Sequence, residues 1–299
     1  MGDTKRKLKM VGLGEILWDM LPEGKQLGGA PANFAYHAQA LGAKGIVVSC
    51  VGDDELGRQI LNRLDEMRID REHVAVDKNH PTGTVTVELD SEGKPDFTIH
   101  ENVAWDFIPL SKELLSLAPQ TDAVCFGSLC QRSEVSRKTV RSFLSTTRPD
   151  CTRIFDINIR QSYYDRAIVN AMLELSNVLK LNDEELPIVA GLLSIKGSQT
   201  DILLRLIQQY DLSLIALTKG AKGSRLYTSS RDSECKAVPT DRIVDTVGAG
   251  DAFSAAIAIG WLRGDDLDKI NAHASRIASF VCSQSGATPP LPKDLVLDK

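Results

Sequence analysis

Short apolar runs recur along this chain at residues 8–13, 46–51, 124–126, 153–157, 178–181 and 214–217, with helical stretches between them. Each run is strand-length and largely non-alternating, as a strand must be when helices cover both of its faces. The intervening segments 31–41, 57–67, 137–146 and 202–209 read as helices. This rhythm predicts a doubly wound α/β fold with a mostly parallel sheet flanked by helices. One stretch breaks the rhythm. Residues 82–89 (TGTVTVEL) and 96–100 (DFTIH) alternate apolar with polar around the turn at 90–94, the pattern of an antiparallel hairpin with one wet face. With a further strand over 16–21 before the Pro22-Glu23-Gly24 turn, they predict a small β-layer that could act as a lid.

The expected organisation is therefore an α/β core over 1–14, 29–81 and 104–299, with a discontinuous β-lid over 15–28 and 82–103. A chain of 299 residues, 42% hydrophobic and 25% charged, has the balance of a water-soluble globular protein. The longest nearly apolar stretch, 252–262, is well short of the roughly 20 residues that span a bilayer. Lysines and arginine near the N-terminus are not followed by an uninterrupted apolar segment, because Glu15 and Asp19 cut it, so the expected location is the cytoplasm. A net charge of −5 argues against a nucleic-acid surface and leaves a small molecule as the expected partner. The six cysteines form no C-x-x-C pair and are expected to be reduced and buried.

The segment DTVGAGDAFSAAIA, residues 245–258, carries the most chemistry. A Gly-Ala-Gly turn opening a helix presents unpaired backbone N–H groups at the positive end of the helix dipole, which suits an anion such as a transferring phosphoryl group. Asp251 falls in the first helical turn, placed to take a proton from a hydroxyl held nearby. The same residues also suit a plain helix cap with glycines chosen for close packing. LGGAPAN at 27–33 offers a paired-glycine turn, a proline at a helix start and an Asn33 able to bond a sugar hydroxyl, or else an ordinary turn. In GLGEIL a leucine, Leu17, stands where a dinucleotide fingerprint needs its third glycine, and no P-loop motif occurs.

Together, DTVGAGDAFSAAIA and LGGAPANFAYHAQALG resemble the C-terminal signature and the N-terminal glycine-pair region of the PfkB, or ribokinase-like, family of carbohydrate and nucleoside kinases. The resemblance runs over nearly the whole chain and implies a ribokinase-like fold, with ATP and Mg²⁺ as cofactors. It implies Asp251 as catalytic base and Gly248, Ala249 and Gly250 as the anion hole. It assigns Asn182 and Glu185 of NDEE to an N-x-x-E motif that organises Mg²⁺ and phosphates through water, and Thr218, Gly220 and Gly223 of TKGAKG to the nucleotide loop. Asp19, Gly28, Gly29 and Asn33 correspond to the sugar wall, and Arg160 of DINIR to a phosphate clamp. Some relatives bind a monovalent cation, such as K⁺, and the positions here are Asp245, Val247, Val281, Gln284 and Gly286; Pro290 stands where many ribokinases carry serine. The GE-x-L-x-D opening, GGAPAN and DINIR are most similar to fructokinases. Ribose, ketodeoxygluconate or a nucleoside as acceptor, and a non-catalytic sugar-binding regulator, are the alternatives. Pairing of two chains through the β-lid into a homodimer is a further expectation of this reading.

Overall fold

In chain order the elements are Lys9–Leu13 (β1), Leu17–Leu21 (β2), Gly24–Gly28 (β3), Ala30–Ala40 (α1), Lys44–Gly52 (β4), Glu55–Glu66 (α2), Asp70–Asp77 (β5), Thr84–Leu89 (β6) and Pro95–Ile99 (β7). There follow Lys112–Leu117 (α3), Ala123–Phe126 (β8), Glu134–Thr146 (α4), Thr152–Asp156 (β9), Arg166–Leu175 (α5), Val178–Asn182 (β10), Glu185–Leu193 (α6) and Gln199–Tyr210 (α7). The chain closes with Leu214–Thr218 (β11), Ser224–Tyr227 (β12), Asp232–Cys235 (β13), Ala249–Arg263 (α8) and Leu267–Cys282 (α9). This computed structural model describes residues 6–22, 24–89, 95–240 and 242–296. The expected turn at 90–94 and residue 23 lie outside them.

Nine strands form one sheet in the order β13-β12-β11-β10-β9-β8-β1-β4-β5. From β11 to β5 every pairing is parallel, and β12 and β13 add an antiparallel edge. The non-alternating composition follows from burial on both faces. Val11, Leu13, Val124, Phe126, Leu179 and Leu181 enter the core on one side, while Met10, Cys125 and Val178 enter the core on the other, beneath α1, α8 and α9. After β1 the chain builds β4 and β5 on one side, then returns to lay β8 on the other. The strand order therefore reverses at β1, and such a reversal opens a crevice at the carboxyl ends of the strands.

The second sheet, β3-β2-β6-β7, joins the predicted hairpin to the 17–28 segment, with β2 parallel to β6 and antiparallel to β3. Its attachment is specific. Thr82 donates through both N and Oγ to the Asp54 carboxylate that caps α2, and a Cβ on Gly83 would collide with the buried Trp105 indole. One expectation needs correction: the cysteines are free, but Cys235 and Cys282 are only half-buried. The edge strands β5 and β13 and helix α9 have no counterpart among the segments expected from the sequence.

Helix α1 carries His37 with no exposed surface, its Nε2 donating to Ala287 O at 2.9 Å. Burial pushes its pKa down from 6.5 to about 4, against the upward pull of that carbonyl. The neutral ring is favoured by folding, so its contribution is complete above pH 6.5 and is lost as pH falls towards 4. The size is about 3 kcal/mol. Buried carboxylates with raised pKa act oppositely, so the expected result is a difference: the stability of the parent minus that of His37→Gln declines between pH 6.5 and 4 in urea melts. A flat difference would show that His37 is not held neutral.

Candidate active site

Helix α8 starts at Ala249 behind Gly248, whose φ of 78° is left-handed, and no side chain caps it. A Cβ on Gly248 would stand 2.4 Å from Ala287 O, so the turn into the helix needs both the conformation and the size of glycine. Ala249 N donates to Thr246 O at 3.4 Å, and the first-turn donors of Gly250 and Asp251 are left for a ligand. The preceding loop is fixed by Asp245, whose carboxylate accepts from Val247 N at 3.0 Å and Gly286 N at 3.2 Å.

Asp251 projects from this first turn and accepts from Asn33 Nδ2 at 2.8 Å. A capping role is ruled out by the structure, since the cap position is Gly248. Burial raises the Asp251 pKa to about 6, the Asp156 charge adds to that, and Asn33, Lys180 and Arg160 oppose it. Such a carboxylate is ionised at neutral pH yet basic enough to receive a proton. Asn33 is buried with its Oδ1 unpartnered, an acceptor left for a hydroxyl.

Asp19 lies on β2 of the small sheet, opposite Gln26 on β3. A Cβ on Gly28 would stand 2.3 Å from its Oδ2, so the second glycine strand position lets the carboxylate lie flat against the backbone. Gly29 caps α1 with φ 109° and would meet Glu15 O at 2.4 Å if it bore a Cβ. Burial raises the Asp19 pKa to about 6, with Arg160 opposing and Asp245 adding. Arg160, exposed, follows β9 and acts on the charges of Asp19, Asp251 and Glu15 alike. These residues come from β2, α1, α8 and the segments after β1 and β9, and the charges of Asp19, Glu15, Arg160 and Asp251 lie close enough to act on one another.

Farther along the same edge, Asn182 and Thr218 are register partners at the ends of β10 and β11. Asn182 Oδ1 accepts from Glu184 N and Glu185 N, while the Glu185 carboxylate accepts from Asn182 N at 2.8 Å and Ile159 N at 2.9 Å. The N-x-x-E pair is thus joined by reciprocal side-chain–backbone bonds at the start of α6, and both Glu185 oxygens are engaged by backbone. That arrangement fits an outer-sphere role towards a hydrated Mg²⁺. Gly220 and Gly223 have φ of 51° and 92°, and a Cβ on Gly223 would stand 2.1 Å from Cys235 O. Among the cation positions, the Asp245 carboxylate accepts from Val247 N and Gly286 N, and Val281 O accepts from Gln284 N at 3.0 Å.

Three residues near the base were missed. Glu15 is buried, with Oε2 unpartnered and its pKa raised to about 7 by burial. Lys180 and Asp156 form a buried ion pair at 2.9 Å. A lysine inside the otherwise apolar run VLKL was a signal for a buried cation, though not for its partner.

Comparison with known proteins identifies the family. The model of the pfkB family carbohydrate kinases matches residues 23–294. The fructokinase of Salmonella typhimurium is 32% identical, covering 82% of this chain and 81% of its own. A crystal structure of an uncharacterized sugar kinase from Pyrococcus horikoshii superposes with a TM-score of 0.79 at 27% identity, covering 94% of this chain and 93% of that one. The fructokinase from Xylella fastidiosa, at 19% identity and a TM-score of 0.84 over 95% of each chain, shares the fold. The ribokinase-like architecture expected from the sequence is the one observed, and the chain belongs to the pfkB family of carbohydrate kinases, as a phosphotransferase that acts on a sugar hydroxyl.

Proposed function

We propose that this kinase transfers the γ-phosphoryl group of ATP to D-fructose, giving fructose 6-phosphate and ADP. The observation that carries the chemistry is Asp251, desolvated and bonded to Asn33, in the first turn of an uncapped helix. A sugar hydroxyl oxygen attacks the γ-phosphorus as the bond to the β-phosphate bridging oxygen breaks. Its proton passes to Asp251, and the charge on the phosphoryl oxygens meets the Gly248–Gly250 N–H groups. Asp19 and Asn33 hold the acceptor's hydroxyls, and Arg160 supplies a planar cation to the phosphoryl group. Asn182, Thr218, Gly220 and Gly223 form the nucleotide side, and Glu185 would hold a hydrated Mg²⁺ through water. That ion, when bound, offsets charge on the β- and γ-phosphates. Asp245, Val247, Val281, Gln284 and Gly286 would hold K⁺ behind the anion hole.

ATP as donor is supported by the Pyrococcus sugar kinase, 26% identical and solved in complex with ATP. Fructose as acceptor is supported by the Salmonella fructokinase and by GEILWD, GGAPAN and DINIR in this chain. The test is ADP release across fructose, ribose, ketodeoxygluconate and nucleosides. The highest kcat/KM is expected with fructose; a better acceptor among the others would replace it, and no acceptor-dependent release would favour a sugar-binding regulator.

Asp19→Ala is expected to raise KM for the sugar at least tenfold while changing KM for ATP less than about twofold, since losing a charged hydrogen bond costs about 1.5–3 kcal/mol. Equal changes would mean that Asp19 acts through the position of its sheet.

The small sheet serves as a lid in this reading. Gln161 Nε2 donates to Phe97 O at 2.8 Å and Tyr163 OH to Glu101 at 2.7 Å, so the loop bearing Arg160 is tied to the β7 end of that sheet, and Arg132, between β8 and α4, donates to His100 O at 2.6 Å. A lid that excludes water from the phosphoryl group suppresses ATP hydrolysis. Hydrogen exchange across 82–100 is expected to slow when fructose and an ATP analogue bind together. Unchanged exchange in a saturated complex would make the sheet a fixed wall. Phe97 and Met20, exposed on it, offer apolar surface for a second copy of the chain.

A further inference from the structure

Directly under the anion cradle lies a charge that the mechanism above does not use. Lys180, in the middle of β10, is buried, and its Nζ donates to Asp156 Oδ1 on β9 at 2.9 Å. The other Asp156 oxygen accepts from Ser254 Oγ of α8 at 3.0 Å. A Cβ on Gly250 would stand only 3.0 Å from Lys180 Nζ, so the ammonium rests against the first turn of α8 while Ser254, one turn deeper, holds the carboxylate. The pair therefore lies along the helix with its positive end at the helix N-terminus.

That orientation opposes helix electrostatics, because the N-terminus of a helix is already positive and disfavours a neighbouring cation. It also places two charges where an apolar pair of similar volume is often at least as stable. Both costs are offset when an anion occupies the cradle, where the ammonium adds to the field of the N–H groups in a site of low dielectric. We propose that Lys180, locked by Asp156 and Ser254 beneath Gly250, is a positioning residue that strengthens the anion cradle for the phosphoryl group in flight. The inference rests on the reading of Asp251 and the Gly248–Gly250 turn as the transfer site.

The same pair sets the charge around the base. Asp251 is faced by Asp156 from β9, Lys180 from β10, Arg160 beyond β9, Asn33 from α1 and Glu15 beyond β1. Asp156 raises its pKa and Lys180 lowers it. The Lys180 ammonium itself is disfavoured by burial but held protonated by Asp156, Glu185 and Asp251.

The experiment compares the parent, Asp156→Asn, the double variant Lys180→Met/Asp156→Asn and Asp251→Asn. The double variant removes both charges and leaves no unpaired ion, so it is expected to fold, to keep both KM values within about threefold and to lose about ten- to hundredfold in kcat, less than or comparable to loss of a direct oxyanion donor. Asp156→Asn is expected to shift the acid limb of kcat to lower pH while amide exchange in the first turns of α8 stays that of the parent, since a loosening that hydrates Asp251 would move the limb the same way. A double variant within twofold of the parent in kcat, or an unmoved limb in Asp156→Asn, overturns the inference; if the double variant does not fold, the limb alone decides. Asp251→Asn separates the two readings: parent-like turnover there refutes the transfer site itself, whereas an inactive Asp251→Asn beside a normal double variant refutes only the role of Lys180.

Discussion

Asp251→Asn is expected to lower kcat by about a hundredfold or more while leaving KM for ATP and the melting temperature no lower than in the parent. General-base catalysis accounts for about 10²–10⁴ in rate, and an amide cannot accept the sugar's proton. Asparagine keeps the size of the side chain and an oxygen for the Asn33 donor, which sits 2.8 Å from Asp251 Oδ2. Stability should not suffer, because the ionised form is the one that burial and the Asp156 charge disfavour. Steady-state kinetics with a thermal melt on the same sample checks both halves. A variant turning over at the parent rate would remove Asp251 from the mechanism.

Gly248→Ala is expected to be nearly as damaging for a different reason. The residue has φ 78°, where a Cβ costs roughly 1–2 kcal/mol, and that Cβ would also stand 2.4 Å from Ala287 O. Relief requires the turn to move, which shifts the first-turn N–H groups away from the phosphoryl oxygens. Removing one preorganised oxyanion donor costs about 10²–10³ in kcat, and a displaced turn affects more than one. The expected outcome is a kcat loss of at least about a hundredfold with a melting temperature lowered by a few degrees. A large stability loss with normal kcat in the surviving folded protein would show that the turn is only structural.

What the sequence disclosed and what it withheld follow from where each signal resides. Strands buried on both faces advertise themselves through runs such as residues 178–181, and the Gly-Ala-Gly turn before Asp251 marks a helix start by type and spacing, with an anion site as one of two readings. Strand β5, DREHVAVD, lies at the sheet edge, where partial exposure permits charges that hide a strand from any apolar count. Strand β3 pairs with β2 through GKQLG, a segment whose composition says turn; only the partner makes it a strand. The roles of Gly28 and Gly29 depend on contacts with Asp19 and Glu15 that spacing cannot express. Lys180 and Asp156 belong to separate strands 24 residues apart, and nothing local marks their pairing or its position beneath Gly250.

The central claim is transfer of a phosphoryl group from ATP to a sugar hydroxyl in a cleft closed to water. A single-turnover experiment tests it most directly, with enzyme in excess over γ-labelled ATP and Mg²⁺, quenched at intervals with and without fructose. The label is expected to pass from ATP to fructose 6-phosphate when fructose is present, and to remain on ATP when it is absent. Label that stays on ATP in the presence of fructose and the other acceptors, or that passes to inorganic phosphate at the same rate with or without sugar, would contradict the account.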